Sequence, residues 1–141
     1  MEESSVDNNS WGHVTRNFWL SEGLQLESGA RLEDIEATEL CIGFTFPPDM
    51  KELYQVVNGF KNWGWTKNMI SVWPMERIRE EYGTSRDKIF IGFCDYPINS
   101  HCVGFFKDRS GIYKSYDEFN PIAESFKEAI DLINTGSDLI F

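Results

Sequence analysis

Cys94, Asp95, His101 and Cys102 are the residues of this 141-residue chain whose types come nearest to a reactive cluster. Thiols, a carboxylate and an imidazole in one short stretch could hold a transition metal or form a Cys–His nucleophile pair. Zinc sites bring their thiolates in closely spaced pairs, and the run CDYPINSHC does not have that spacing. A nucleophile pair needs a Cys against a His with an orienting partner. Cys102 adjoins His101, but neighbours on a strand point to opposite faces. The other histidine, His13, falls in an N-terminal helix. The sequence carries no triad pattern, P-loop, nucleotide fingerprint or metal-binding helix motif. The expectation is a non-enzymatic binding protein with no catalytic residue, no metal and no cofactor. Cys94 and Cys102 then read as small apolar residues on neighbouring strands, free rather than disulfide-bonded in a reducing compartment.

A contact surface has better support than a catalytic one. The stretch FKNWGWTKN, residues 60–68, places Trp63 and Trp65 around one glycine in a polar loop. One ring could cap the core while the other shields a strand edge. Alternatively both anchor a partner, since Trp is enriched at interface hot spots. The segment 95–101 could form a second loop beside it, which brings in Asp95. Trp73, just before Pro74, reads as core.

The net charge is −10, and it is unevenly placed. Between Glu22 and Asp49, seven acids face Arg31 alone. Between Asp117 and Asp138, six acids face Lys127 alone. Each run is either an ordinary solvated face or a surface complementary to a basic partner. Such a chain is repelled by nucleic acid and by anionic membranes, so neither is an expected partner. The candidate partner-binding residues are Trp63, Trp65, Glu33, Asp34, Glu36 and Asp95.

These side chains need elements to hold them. Residues 1–10, polar and acidic, read as disordered, and residues 11–141 as one domain. Trp11, Val14, Phe18 and Trp19 suggest one face of a first helix, followed by a connection over 23–29. Two short helices come next, at about 31–41 and 48–57. Gly43 stops the first. Pro47 and Pro48 open the second. Met50, Leu53, Tyr54 and Val57 then recur at i, i+3, i+4, i+7, and Asn58-Gly59 ends it. Strands are expected over 69–73, 89–93, 102–106 and 112–116, with a helical turn from Pro74 presenting Met75, Ile78 and Tyr82. A last helix starts at an Asn120 cap with Pro121, buries Ile122, Phe126, Ala129, Ile130 and Ile133, and stops at Gly136. Helices, then a sheet, then a helix make an α+β domain. Its sheet is antiparallel, or mixed, with about four to six strands, and the N-terminal helices and the C-terminal helix pack on it. There is no apolar run long enough to cross a membrane and no basic, apolar leader, so a cytoplasmic location is expected.

The segment LEDIEATELCIGFTFPPDMKELYQVVNG, residues 32–59, resembles the signature of the SUKH superfamily, the cell-wall-assembly-regulator-like family. Ile35, Glu36, Glu39, Gly43, Pro47, Asp49, Tyr54, Asn58 and Gly59 sit on its pattern. Ile42 and Met50 depart from the usual Leu and aromatic without disturbing the periodicity. The segments 72–78, 89–92, 101–106, 108–113 and 123–126 resemble, in order, its later elements. The resemblance implies a SUKH-like fold and a bacterial immunity protein: a cytoplasmic inhibitor that occludes a cognate polymorphic or contact-dependent toxin. The toxin could be a basic nuclease, which would suit the acidic surface. Two alternatives are a regulatory scaffold, as in the fungal cell-wall branch, and a small-ligand or peptide-binding module.

Overall fold

The computed structural model describes residues 10–84, 88–96 and 101–141. The expected disorder of the first nine residues lies outside these bounds, as do most of the turn over 83–87 and the loop over 97–100. Ser10, the first described residue, caps helix α1 (Trp11–Ser21) by accepting a hydrogen bond from the His13 N–H. Strand β1 (Leu26–Ser28) follows. Then come α2 (Leu32–Ile42) and α3 (Pro48–Val56). The remaining elements are β2 (Val57–Phe60), β3 (Ser71–Val72), α4 (Met75–Tyr82), β4 (Phe90–Tyr96), β5 (His101–Phe106), β6 (Tyr113–Lys114) and α5 (Phe126–Thr135). The fold is α+β and its strand pairings are antiparallel: β1 with β2, and a sheet in the order β3-β4-β5-β6.

The two signature helices form as their sequence dictates. Gly43, at φ 72° and ψ 38°, ends α2 in the left-handed conformation that glycine adopts without a Cβ penalty. The Lys107 ammonium donates to the Ile42 carbonyl at 2.6 Å, satisfying one of the last-turn acceptors. Pro47 sits before α3 and Pro48 in its first turn, where no N–H is missed. Met50, Leu53 and Tyr54 are buried as the spacing requires, and Val57 extends the same face.

Four expectations are corrected. Asn58-Gly59 does not merely end a helix: the backbone becomes extended at Val57, and four buried residues form β2 against β1. Asn and Gly are poor strand formers, so only the tertiary setting makes this strand. Helix α1 buries Gly12, Thr15 and Trp19, with Val14 and Phe18 exposed, because close approach to α3 needs the small face. The last helix begins at Phe126 with Ser125 as its cap, not at Asn120 and Pro121. The intervening chain runs through bends instead, and Ile112 and Ala123 bridge. The expected strand over 69–73 shortens to Ser71–Val72, with Met69 in the left-handed region at φ 69°.

The core gathers both helix layers and the sheet. Phe126 of α5 packs its ring against Phe93 of β4 at 4.8 Å, and against Tyr54 of α3 at 6.4 Å. Trp19 is fully buried, with Phe60 edge-on at 4.9 Å and its indole N–H donating to Asn134 at 2.7 Å.

Candidate functional site

Beyond β2 the chain turns sharply through Lys61–Trp63. Asn62 (φ 58°) and Trp63 (φ 60°) are both left-handed. That conformation strains a bulky residue by about 1–3 kcal/mol and persists only where neighbours enforce it. Here it lifts the rings outward: Trp63 is 70% exposed and Trp65 53%.

The inner side of Trp63 is not free. The Arg77 guanidinium lies 4.1 Å from the Trp63 ring centre and 4.0 Å from that of Trp73, so it is sandwiched. Asp95 completes the row. One of its oxygens accepts from the Trp73 indole N–H at 2.8 Å, and the other lies 3.9 Å from the guanidinium. Trp73 is buried, as expected of a core residue. The row Trp63–Arg77–Trp73–Asp95 runs from solvent into the core. Each cation–π contact is worth about 0.5–2 kcal/mol, depending on how dry it is. Its effect is to fix the orientation of an exposed indole before any partner arrives, which lowers the ordering cost of binding.

The other candidates are dispersed. Asp95 is engaged in that row. Glu33, Asp34 and Glu36 are exposed on α2. Glu33 pairs with Arg31 at 3.0 Å, and both side chains are solvated, so the pair adds little stability. A hydrogen bond from the Glu33 backbone and the Arg31 guanidinium hold the Glu33 carboxyl below its ordinary range. Helix α4 links the two regions: Arg79 donates to Thr38 of α2 at 2.6 Å, while Arg77 reaches Trp63. Arg77 was invisible as a site residue in the sequence, since nothing there couples position 77 to position 63.

A groove of about 240 Å³ runs beside Trp63, bounded by Glu27, Phe60, Glu76, Arg77 and Glu80. An apolar cavity of about 570 Å³ lies elsewhere, among Phe44, Phe105, Ile112 and Phe126. Its polar groups are largely engaged. Asp49 accepts from the N–H groups of Met50 and Lys127. Arg109 is bound to Asp108 and to the Glu118 carbonyl, and Ser125 caps α5. Small-ligand sites converge free polar groups on an apolar pocket, and this one has few to offer.

A family model, the SMI1 / KNR4 family (SUKH-1), matches residues 29–132. The chain belongs to this family. No curated protein matches it significantly. The SUKH-1 match includes the Trp63 loop, α4 and β4, and it directs attention to what the signature residues do. They are scaffold. Tyr54 donates to the Trp73 carbonyl at 2.6 Å. Asn58 accepts from the Met75 N–H at 2.8 Å and donates to Glu76 at 3.1 Å. Gly59 lies so close to Trp73–Pro74 that a Cβ would meet the backbone at 2.5 Å. Glu39 accepts from the Phe46 N–H at 2.7 Å and pairs with Lys51 at 3.1 Å, bracing the α2–α3 junction. In this SUKH-1 domain the signature residues thus build the platform under Trp73 and Arg77.

The SUKH-1 sheet also places the reactive residues. His101 is buried and pairs its Nε2 with the Ile140 carbonyl at 2.9 Å. Cys102, opposite Asp95, is partly exposed on the other face, and Cys94, opposite Val103, is buried. Among the described residues no group of three His, Cys, Asp or Glu is arranged to hold a metal ion. Burial pushes the Cys94 thiol well up, and burial together with the Asp95 charge pushes Cys102 up to about 11. Burial likewise carries the Tyr82 hydroxyl up to about 12. Thiols shifted this way are inert, because the thiolate is the reactive form. At pH 8, Cys41 on the surface should be alkylated in the native protein, Cys102 slowly, and Cys94 only on unfolding. Mass spectrometry of peptides from a timed iodoacetamide reaction checks the order. Fast native modification of Cys94 would contradict the burial. Folded-state values raised above those of the unfolded chain also stabilise only while the groups stay protonated. Stability should therefore hold below about pH 9 and fall as pH rises towards 11–12.

Proposed function

We propose that this SUKH-1 domain is a non-enzymatic, cytoplasmic immunity protein. It neutralises a cognate toxin by binding it through the Trp63–Trp65 face and occluding its active site or substrate channel. One observation carries the reading: a tryptophan held in a strained backbone conformation, exposed on one face and braced by Arg77 on the other. Among the described residues its one stabilising contact is the Arg77 guanidinium on the inner face, which leaves most of the ring open to solvent. Such a ring fits a rigid anchor for a protein surface. The acids of α2 and the charge of −10 favour a basic toxin, such as a nuclease, by speeding encounter. Among the described residues no helix is long and apolar enough to cross a membrane.

Co-expression tests this. A toxin encoded beside this gene should stop growth alone, should be neutralised when this protein is made with it, and should co-purify with it. A toxin that kills equally well in its presence, with no complex formed, would contradict the immunity reading. Regulation of cell-wall assembly would then be the reading to pursue.

A further inference from the structure

We infer that the groove beside Trp63 is a subsite for one arginine side chain of the protein partner. The inference rests on the proposed protein-binding role and specifies the chemistry of that face. Three carboxylates border the groove: Glu27 from β1, and Glu76 and Glu80 one turn apart on α4. Among the described residues, neither Glu27 nor Glu80 makes a side-chain hydrogen bond or an ion pair. The cation in the wall, Arg77, is already faced by Asp95 and enclosed by two indoles. The lysines of the Trp loop do not neutralise the groove either. Lys67 lies 3.8 Å from Glu22, and although Lys61 and Arg16 line an adjoining cavity that shares Glu27, neither forms an ion pair with it.

An aromatic wall with uncompensated carboxylates suits a cation. The volume, about 240 Å³, is below the roughly 300–1,000 Å³ of small-molecule sites and suits a single side chain. Arginine fits better than lysine, because a planar guanidinium stacks on indole and meets carboxylates in a bidentate fork. The protein already makes this arrangement internally, with Arg77 between Trp63 and Trp73 and next to Asp95. Like charges one helical turn apart also destabilise the free helix. The Glu76–Glu80 pair is therefore a local cost that an incoming cation removes.

The test uses tri-arginine, tri-lysine and tri-citrulline peptides titrated into the full-length protein. The readout is the indole N–H resonance of each tryptophan, assigned by Trp→Phe variants. Tri-arginine should shift the Trp63 signal most strongly, bind more tightly than tri-lysine, and leave tri-citrulline without effect. Glu27→Gln and Glu80→Gln should each weaken binding about threefold, the loss expected for one exposed ion pair, while Glu118→Gln, exposed beyond β6 at the far edge of the sheet, changes nothing. Glu80→Gln should also keep or raise the melting temperature, which separates lost binding from lost fold. Equal weakening by Glu118→Gln, equal binding of citrulline, or no shift at Trp63 would overturn the subsite. Toxin capture that persists in such a case would leave the protein-binding role standing and remove only the arginine subsite.

Discussion

Leu53→Ala should lower the unfolding free energy by about 2–5 kcal/mol, the range for truncating a fully buried leucine. Leu53 is 1% exposed in the middle of α3, on the face it shares with Met50 and Tyr54. That face meets α5, where Tyr54 and Phe126 approach. The cost has two parts, the lost transfer of apolar surface and the cavity left behind. The cavity part should be near its full size. Tyr54 is held by its bond to the Trp73 carbonyl, and α1 lies so near that a Cβ on Gly12 would come 3.6 Å from the Leu53 Cα, so neither can collapse inward freely. Urea unfolding measures the difference. A loss below about 0.5 kcal/mol, the size of a surface change, would mean that α3 is turned another way.

Gly59→Ala should be comparably damaging by a different route, at about 2–5 kcal/mol. At φ 75° an alanine is strained by about 1–2 kcal/mol. Its Cβ would also lie 2.5 Å from the Trp73 carbonyl carbon and from the Pro74 nitrogen. Both are backbone atoms, pinned by Tyr54 and Asn58, so relief requires shifting the start of α4. Such a crowding term is typically about 1–3 kcal/mol. The variant therefore makes a second, more specific prediction. Moving Trp73 and Pro74 disturbs the sandwich around Arg77, so the surviving folded protein should show altered Trp63 fluorescence. Leu53→Ala, remote from that sandwich, should not. A Gly59→Ala protein as stable as the parent would contradict the close approach of β2 to the β3–α4 junction.

Much of this fold is legible in the sequence because local chemistry decides it. Gly43, Pro47-Pro48 and the Met50–Val57 spacing set α2 and α3 without help from the rest of the chain. The buried face of α5 and its stop at Gly136, left-handed at φ 70°, follow from the same rules. Misreadings occur where distant contacts overrule local preference. Asn58-Gly59 looks like a helix stop, yet it lies inside β2, between Val57 and Phe60 that pair with β1, and Asn58 is fixed by bonds to Met75 and Glu76. Asn120-Pro121 looks like a helix start, but backbone bonds between Ile112 and the 122–123 segment hold that stretch out of a helix. In α1 the large apolar residues Val14 and Phe18 lose the buried face to Gly12 and Thr15, because α3 approaches too closely for bulk.

The site divides along the same line. Trp63 and Trp65 stand out as large rings in a polar loop, and their exposure follows from the backbone. Asp95 is a sound choice of residue type, but its carboxylate faces inward to Trp73 and Arg77. Arg77, Glu27 and Glu80 were missed. They join Trp63 only through the packing of α4 and β1 beside the loop, and no spacing along the chain encodes that.

The most direct test of the proposed binding face is the kinetics of the isolated protein with any toxin found encoded beside its gene, compared at low and near-physiological salt. Trp63→Ala should raise the dissociation rate by the equivalent of about 2 kcal/mol, the scale of an interface hot spot, with its melting temperature little changed. Neutralising Glu33, Asp34 and Glu36 together should slow association at low salt only, because charges farther apart than about 10 Å are screened at 0.1 M. Trp63→Ala and Trp65→Ala proteins that bind and release as the parent does, with association indifferent to salt, would contradict the account.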